Sequence, residues 1–360
     1  MEFGHRYRVR LFGASHAPEV GVEVEGLPPG APLRLEELQE MLDRRRPLGR
    51  RLGTRRAEED RLVVDSGWEG GHVVDGKLRA HVANTDVRRS DYDAMADTPR
   101  PGHADYPARV RYGASADLSG GGIFSGRMTV GLVIAGGIAL QLLRPLGVEV
   151  VSFTSAIGSV SAEAPESLSL AELARRARSN EVGAADPEAA RRMEEAIGEA
   201  RRAGDSLGGV VETRVTGVPV GLGEPFFDSL ESVLAHLAFS IPAVKGVEFG
   251  DGFRAAVLRG SEHNDAFYYD GGRVRTRSNH SGGILGGLAT GMPLRYRVAL
   301  KPTSSIAREQ ETVNLRTGES AVLRVGGRHD PCIVPRAGVV VESTTAIGLL
   351  DLAWAGGFRA

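Results

Sequence analysis

Cysteine and lysine are scarce in this sequence of 360 residues: Cys332 is the only cysteine, and only three of the 44 basic residues are lysine. A single thiol excludes an intramolecular disulfide and any zinc or iron–sulfur site built from several cysteines, which suits a reducing, cytoplasmic location. The formal net charge of −2 shows neither the basic excess of a nucleic-acid binder nor an acidic tail. Partners must therefore be recognised by local groups of residues.

Long apolar runs and targeting signals are also missing. The N-terminal stretch contains Arg and His where a secretory signal needs an uninterrupted apolar core, so we expect no targeting segment. The most apolar stretch, 128–143, lies between Arg127 and Arg144 and is shorter than the roughly 20 residues that cross a bilayer. It predicts a buried helix, and we expect no membrane partner. No HExxH or other compact spacing of metal ligands is present, so no metal site is predicted.

The remaining pattern mixes helix and strand signals without a regular β-α-β alternation, which favours an α+β fold. Helices are predicted from Leu35 to the Arg44–Pro47 run, from Asp186-Pro187 to Gly204, from Asp228 to before Pro242, and from Ser343 or Thr344 through Trp354. Runs of β-branched residues predict strands at 210–215, 296–300 and 338–341. No linker, repeat or low-complexity tract divides the chain, so we predict one domain over 1–360.

Glycine is abundant, with 48 residues, and is concentrated in a few segments. The segment 120–127, which we call the glycine loop, leads directly into the apolar stretch 128–143. Glycines let backbone amides approach an anion closely, and a helix N-terminus favours negative charge, so an anion site is predicted here. Tight turns in an antiparallel sheet are the alternative. A Walker A loop and a dinucleotide fingerprint are excluded, because neither Gly-Lys-Ser/Thr nor GxGxxG in a β-α-β context is present.

Arginine is concentrated in the segment 43–56, which has seven guanidinium groups in fourteen residues. So many like charges predict an anion that neutralises them, and a mobile segment ordered by its ligand would fit. The alternative is a solvated surface. Nucleic acid is the less favoured partner, because no aromatic residue is interleaved with the arginines.

Several other polar residues are candidates for proton transfer or anion binding. His16 and His103 lie in glycine-containing segments, and histidine is the side chain best suited to move a proton near neutral pH, although a structural role is the alternative for each. Asp330 and Cys332 lie in a short segment that also carries a base and a cation, and we expect Cys332 to be a small buried thiol. The segment 301–306 supplies one lysine and three hydroxyls, which could hold a phosphate or form a polar turn.

Taken in chain order, these segments resemble the chorismate synthase family. The matching segments are FGASH…GLPPG (12–30), DRRRP (43–47), NTDVRRSDYDAM (84–95), RPGHADY (100–106), GGGIFSGR (120–127), PAVKGVEFGDGF (242–253), SNHSGGILGG (278–287), KPTSSI (301–306) and GRHDPC (327–332). Nine ordered motifs are far more specific than any one of them.

The resemblance implies a lyase that converts 5-enolpyruvylshikimate 3-phosphate into chorismate and phosphate by a 1,4-anti elimination, the last step of the shikimate pathway. It also implies a requirement for reduced FMN without net redox change. The implied fold is a β-α-β sandwich with long helices packed between antiparallel sheets, assembled as a homotetramer. Some members of the family reduce their own flavin with NADPH, and no motif in this chain decides whether NADPH or another reductant serves it.

The family's motifs also imply roles for individual residues. His16 would protonate the departing phosphate, His103 would stabilise the reduced flavin anion, and Asp330 would assist proton removal through flavin N5. The residues implied to bind substrate are Arg45, Arg51, Arg100, Ser125, Arg127 and Arg328. Those implied to bind the flavin are Ile123, Phe124, Ser125, Pro242, Ala243, Gly286, Lys301, Pro302, Thr303, Ser304, Ser305 and Arg328. The segment 43–56 would then close over the substrate.

The sequence departs from the family pattern at three places. Ala14 stands where the family commonly has a glutamate beside the catalytic histidine, Ile123-Phe124 stands where many members have Arg-Ser, and Pro242 replaces a frequent asparagine. These changes remove side-chain polarity and keep the backbone contacts, so altered flavin affinity is expected more than lost function. Two alternatives remain: a flavin oxidoreductase that transfers electrons to its substrate, and a binder of phosphorylated metabolites that has lost catalysis.

Overall fold

The computed structural model describes residues 1–46, 52–53, 59–85, 97–113, 119–326 and 330–358. In chain order its helices are α1 (Leu35–Arg45), α2 (Asp105–Tyr112), α3 (Thr129–Leu143), α4 (Leu170–Ala177), α5 (Pro187–Arg202), α6 (Leu230–Phe239), α7 (Gly260–His263) and α8 (Val334–Ala355). Its strands are β1 (Glu2–Phe3), β2 (Arg8–Gly13), β3 (Glu19–Glu25), β4 (Val63–Ser66), β5 (Trp68–Glu69), β6 (His72–Val73), β7 (Lys77–Ala83), β8 (Glu149–Ile157), β9 (Val160–Ser161), β10 (Gly209–Thr216), β11 (Val244–Phe249), β12 (Phe267–Asp270), β13 (Arg273–Thr276), β14 (Ile284–Leu285), β15 (Leu288–Ala289), β16 (Leu294–Leu300), β17 (Glu309–Val313) and β18 (Ser320–Arg324).

Two five-stranded antiparallel sheets enclose a layer of helices, and α4 packs on the second sheet in a separate hydrophobic cluster. The first has the order β1-β2-β3-β7-β4 and the second has the order β11-β16-β10-β8-β9. Helix α3 packs against β2, β3 and β7 of the first sheet, α8 packs against β8 and β10 of the second, and the two helices pack against each other. Long helices therefore lie between antiparallel sheets, which confirms the α+β sandwich that the resemblance implied.

Helix α3 fits in this middle layer because it is apolar on every face and carries glycine where its neighbours come close. A Cβ added to Gly131 would lie 2.6 Å from Cδ2 of Leu11, and one added to Gly136 would lie 2.2 Å from Cβ of Ser343 on α8. Both distances are too short for a real side chain, so the two glycines set how closely the first sheet and α8 approach α3. The buried helix predicted at 128–143 is confirmed.

Two helical segments, Gly126–Leu146 and Val334–Ala355, are long and apolar enough to cross a bilayer by length and composition. The first is longer than the sequence suggested, because 3-10 turns extend α3 at both ends. Most residues of both segments are buried against other elements of the fold. Core packing therefore explains their apolar composition.

The strand predicted at 338–341 is wrong, and so is the helix start at Ser343 or Thr344, because both stretches belong to α8. The run of valines favours a strand by propensity alone. Burial overrides that preference, since the Ser343 hydroxyl donates to the carbonyl of Val339 at 2.7 Å and the Thr345 hydroxyl makes the same kind of bond at 2.6 Å. The helix can therefore bury these polar side chains with their hydrogen bonds made.

The other helix and strand predictions agree with the structure to within one or two residues. Asp186 is the N-cap of α5, and its carboxylate accepts from two backbone amides at 2.8 and 2.9 Å. The N-cap of α6 is Ser229 and not Asp228. The strands predicted at 210–215 and 296–300 lie in β10 and β16, which pair in the second sheet.

Candidate active site

His16 lies in the turn between β2 and β3 and is buried, with 6% of its surface exposed. The side-chain amide of Asn84 spans this turn, donating to carbonyls two residues before His16 and one residue after it at 3.1 and 2.7 Å. The backbone amide of Ser15 donates to the carbonyl of Gly122 at 3.2 Å. These bonds fix the turn and hold it against the glycine loop.

The glycine loop lies between the two histidines that the sequence singled out. A Cβ added to Gly120 would lie 2.2 Å from Cε1 of His16, and one added to Gly121 would lie 3.5 Å from Nε2 of His103. Gly120, Gly121 and Gly122 have φ angles of 58°, 89° and 52°, in the region that favours glycine. The loop leads through a 3-10 turn into α3, as predicted, and is not a turn within an antiparallel sheet. Backbone without side chains thus separates the two imidazoles.

His103 is bound by a carboxylate that the sequence analysis did not single out. Nδ1 of His103 lies 2.5 Å from Oδ1 of Asp105, the first residue of α2. Arg100 donates to the same carboxylate from its backbone amide at 3.0 Å and from Nε and Nη2 at 2.7 and 2.8 Å. Arg100 and Asp105 are both buried. We call these three residues the Arg100–His103–Asp105 network.

The negative charge of Asp105 is stabilised within this network. Burial alone would raise the pKa of the carboxyl, but the hydrogen bonds from Arg100 and His103 outweigh it and hold the pKa of Asp105 well below its usual range. An ionised carboxylate accepts hydrogen bonds and cannot donate them, so the proton between Asp105 and His103 belongs to Nδ1 of the imidazole. Nε2 is then the ring nitrogen that lies beside the glycine loop.

The segment 301–305 packs against the same network. Nζ of Lys301 donates to the carbonyl of Gly102, and Nη1 of Arg100 donates to Oγ of Ser305 at 3.2 Å. A Cβ added to Gly102 would lie 3.5 Å from Cβ of Ser304, in ordinary van der Waals contact. The lysine and hydroxyls that the sequence grouped together are therefore placed beside His103.

Ala243 is joined to the same lysine. Its carbonyl accepts from the backbone amide of Lys301 at 2.9 Å. Its φ of 76°, just before β11, lies in the left-handed region that residues other than glycine rarely adopt. Burial and the charge of the nearby Lys245 lower the pKa of Lys301. Two lysines, Lys245 and Lys301, are therefore close enough to interact beside Ala243.

Arg45 and Arg127 share the buried carboxylate of Asp60. Nη1 of Arg45 donates to Oδ2 of Asp60 at 2.9 Å, and Nη1 of Arg127 donates to Oδ1. The side chains of both arginines are 3% exposed and that of Asp60 is 1% exposed. Nε of Arg45 also donates to Thr129 at 2.9 Å, and Nε of Arg127 donates to Asn84 at 2.8 Å. This arginine pair is thus tied to α3 and, through Asn84, to the turn that carries His16.

The arginine-rich segment 43–56 is described only in part. Arg44 donates to both carboxylate oxygens of Glu342 on α8, at 2.6 and 3.1 Å, and Arg45 is buried against Asp60. These two arginines are packed into the protein, so the solvated-surface alternative does not hold for them. Arg51 and Arg328 lie outside the described residues, and their roles in substrate binding stay predictions.

Asp330 is held beside the 301–305 segment. Its carboxylate accepts from Nη1 of Arg336, and its carbonyl accepts from Oγ1 of Thr303 at 2.9 Å. Nε of Arg336 in turn donates to the carbonyl of Arg45 at 3.0 Å, which links Asp330 to the arginine pair. Cys332 is buried, as predicted, and burial raises the pKa of its thiol to about 12.

These contacts join most of the predicted site residues into one region, which we call the two-histidine site. Its predicted members are His16, His103, Arg45, Arg100, Ser125, Arg127, Ala243, Asp330 and the segment 301–305. Ile123 and Phe124 belong to the glycine loop, and Ile123 is 43% exposed. Gly286 lies in the turn of the hairpin β14–β15, which packs against 222–230, and its role in flavin binding stays a prediction.

Four residues that hold the site together were not singled out in the sequence: Asp60, Asn84, Asp105 and Arg336. Asp60 follows the arginine-rich segment among several acidic residues, and no local pattern separates it from them. Asp105 lies two residues after His103 in RPGHADY, and that spacing was the available signal. Both aspartates act on residues that the motifs did identify.

A cavity of about 250 Å³ lies elsewhere, lined by residues that include Phe3, His5, Phe227, His236 and Leu352. None of the predicted site residues lines this cavity. The candidate active site is therefore assigned from the chemistry of its side chains and not from the shape of a cavity. In the part of the chain that the structure describes, no three His, Cys, Asp or Glu side chains are grouped as metal ligands.

Comparison with known proteins gives one consistent result. A family model described as chorismate synthase matches residues 7–354. A chorismate synthase of Korarchaeum cryptofilum is 48% identical over 349 residues, which are 97% of this chain and 96% of that protein. Chorismate synthases of Methanosarcina mazei and Dehalococcoides mccartyi are 45% and 43% identical over 99% and 97% of this chain, and over 96% and 95% of their own. A crystal structure of chorismate synthase matches with a TM-score of 0.78 at 27% identity, covering 98% of this chain and 93% of that one.

Proposed function

The chain belongs to the chorismate synthase family, and from this premise we propose that it converts 5-enolpyruvylshikimate 3-phosphate into chorismate and phosphate by a 1,4-anti elimination that requires reduced FMN. Membership makes the protein an enzyme, a lyase of the last step of the shikimate pathway. The observation that carries the finer proposal is the glycine loop between His16 and His103. Elimination of a phosphate needs a proton donor, cations for the leaving group and a base for the ring proton, and the two-histidine site has candidates for each.

His16 is our candidate for the general acid. It would donate a proton to the oxygen of the departing phosphate as the carbon–oxygen bond breaks. Its burial limits competition from water, and the bonds that Asn84 makes on either side of it fix its position. Ala14, which replaces an acid of the family pattern, leaves the backbone of this turn intact, because the Ala14 carbonyl still accepts from Asn84.

Arginines are proposed to bind the phosphate and carboxylates of the substrate. The set is Arg45, Arg51, Arg100, Arg127 and Arg328, with a hydroxyl from Ser125. In the structure, Asp60 and Asp105 fix the guanidinium groups of Arg45, Arg127 and Arg100. A guanidinium stays protonated at all relevant pH values, so prepositioned groups of this kind provide lasting positive charge where the phosphate departs.

Asp330 is proposed to assist removal of the ring C6 proton. Arg336 orients its carboxylate, and the bond from Thr303 to its carbonyl holds it next to the 301–305 segment. A carboxylate oriented in this way needs little rearrangement when substrate binds.

The residues around Lys301 fit an anionic flavin by the chemistry of their donors. One lysine, three hydroxyls and the backbone of Ala243 meet there, which suits a phosphate and polar ring atoms. When bound, reduced FMN supplies an electron-rich ring to the elimination with no net change in its oxidation state. We propose that its contacts come from Ile123, Phe124, Ser125, Pro242, Ala243, Gly286, Lys301, Pro302, Thr303, Ser304, Ser305 and Arg328, and that His103 stabilises its reduced anion.

The test is phosphate release from 5-enolpyruvylshikimate 3-phosphate under anaerobic conditions. Three parallel reactions contain dithionite-reduced FMN, oxidised FMN and no flavin. We expect phosphate release only with reduced FMN, with chorismate formed in equal amount. Oxidation of one flavin for each turnover would instead support the oxidoreductase alternative. Substrate binding without phosphate release under all three conditions would support the binding-only alternative.

Assembly, location and reductant are further parts of this proposal. We propose one domain over 1–360, a homotetramer, a cytoplasmic location, and NADPH as one candidate reductant for the flavin. Exposed aromatic side chains support assembly, since Phe226, Phe227 and Phe253 are 85%, 93% and 86% exposed. Sedimentation equilibrium should give about four times the chain mass of 38.2 kDa. Anaerobic mixing with NADPH and oxidised FMN should show whether flavin absorbance bleaches without dithionite.

A further inference from the structure

Asp105 is placed to control which nitrogen of His103 carries a proton. Its Oδ1 atom lies 2.5 Å from Nδ1 of His103, and its two carboxylate oxygens also accept three hydrogen bonds from Arg100. The Asp105 side chain is 9% exposed. Arg100 therefore fixes the position of the carboxylate, and the carboxylate in turn orients the imidazole.

The geometry around the ring separates the two nitrogens of His103. Nδ1 faces the Asp105 carboxylate at 2.5 Å, with Nη2 of Arg100 farther away at 3.1 Å and already donating to the same carboxylate. Nε2 lies beside Gly121, where an added Cβ would come to 3.5 Å of it. A carboxylate that accepts from Nδ1–H keeps the neutral imidazole in one tautomer, with the lone pair on Nε2. Nε2 is the nitrogen that would exchange a proton at the glycine loop.

We propose that Asp105 is a positioning residue that keeps a proton on Nδ1 of His103, so that Nε2 is the nitrogen that takes up the second proton and, as part of the imidazolium, stabilises the reduced flavin anion. This inference deepens the function proposed above and rests on it. Asp105 would act through His103 and not directly on substrate or flavin. Arg100 has a double task, because the same guanidinium that is proposed to bind substrate also holds Asp105 in place.

The first measurement reads the tautomer directly, without any assay of activity. Protein labelled with ¹⁵N-histidine is studied by NMR at about pH 8.5, where an ordinary histidine is neutral. The His103 signals are assigned by their loss in His103→Gln. We expect a proton on Nδ1 in the wild-type protein. An Nδ1 without a proton in the wild-type protein overturns the proposal, whatever any variant does.

The second measurement compares variants that differ in charge at one position. In Asp105→Asn the side-chain amide can donate to Nδ1, so we expect the proton to move to Nε2 and turnover to fall by about 100-fold or more, with a KM for substrate within about threefold. Asp105→Glu keeps the carboxylate and should restore the Nδ1 proton and part of the turnover. Asp97→Asn removes a partly exposed partner of Arg109 and is the matched control that should change neither.

The outcomes separate this inference from the function on which it rests. If wild-type protein makes no chorismate, the proposed function fails while the tautomer measurement still tests Asp105. If wild-type protein is active and Asp105→Asn keeps both its turnover and the Nδ1 proton, the positioning role is wrong and the function stands. If Asp105→Asn does not fold, the wild-type tautomer and the Asp105→Glu comparison decide the matter.

Discussion

Gly120 lies directly against His16: a Cβ at position 120 would stand 2.2 Å from Cε1 of the imidazole and 2.6 Å from Nδ1. The backbone of Gly120 has a φ of 58°, so both its space and its conformation require glycine. The glycine loop is therefore a packing surface for His16 as well as a candidate anion site. This relationship connects the loop's composition to the position of the proposed general acid.

Gly120→Ala is expected to lower turnover at least about tenfold, because the added methyl group displaces the imidazole from its position. Gly126→Ala is the matched control in the same loop, since a Cβ at Gly126 would have no atom within 4 Å. Steady-state kinetics of both variants with reduced FMN checks the prediction. Equal activity of the two variants would show that His16 has room to move without loss.

His16→Ala should lower turnover by about 10² to 10⁴-fold while flavin binding persists, as expected for a positioned general acid. His72→Ala, at an exposed histidine in β6, should have near-normal activity. Turnover is measured as anaerobic phosphate release, and flavin binding is measured by fluorescence titration. Near-normal turnover in His16→Ala would remove this residue from the mechanism.

Asp60→Asn should destabilise the fold by about 3–5 kcal/mol, because two buried guanidinium groups lose their shared carboxylate. Asp43→Asn, on the exposed side of α1, should change the free energy of unfolding by less than about 1 kcal/mol, since its partner Arg46 is also exposed. Urea denaturation followed by circular dichroism gives both values. A similar loss in the two variants would contradict the importance assigned to the buried pair.

Gly136→Ala should destabilise the protein by about 1–3 kcal/mol, because its Cβ would overlap Ser343 where α3 and α8 cross. Gly198→Ala, in α5, has only Nη1 of Arg202 near its added Cβ, at 3.5 Å, and should stabilise the protein by about 0.5–1 kcal/mol. Thermal unfolding should therefore shift in opposite directions for these two helix glycines. Shifts of the same sign would mean that α3 and α8 can separate at little cost.

Cys332 should react slowly with a thiol reagent in the native protein at about pH 8, because burial blocks access and keeps the thiol protonated. The unfolded protein, in which the same thiol is exposed, is the control and should react rapidly. Absorbance after addition of Ellman's reagent measures both rates. Fast reaction of the native protein would argue against the buried position of this thiol.

Sequence patterns located helices and strands well where local chemistry and packing agree. The sequence predicted a helix N-cap at Asp186, and the structure confirms it. The apolar stretch 128–143 forms a buried helix, as its composition predicted. The pattern was misleading at 338–341, where β-branched residues favour a strand in isolation. There the surrounding layers bury every face, and the helix satisfies its own hydroxyls.

The motifs predicted which residues belong to the site. They did not predict which carboxylates pair with its arginines and histidines. His16, His103 and the 301–305 segment were identified from short segments that the fold brings together. Asp60 and Asp105 were missed because the role of each carboxylate depends on the arginine or histidine with which it pairs. Those partners are known only from the three-dimensional structure. The role of Gly286 in flavin binding stays a prediction.

The sequence by itself determined the family, the α+β class and the types of residue available for catalysis, because these follow from the order of the motifs and the periodicity of the residues along the chain. Only the tertiary structure decided which charges are paired, which ring nitrogen of His103 faces the glycine loop, and why Gly120 and Gly136 must be glycine. Those properties depend on distances between segments far apart in the chain. In the buried interior these distances determine stability, because buried charges need partners and closely packed side chains have no space to adjust.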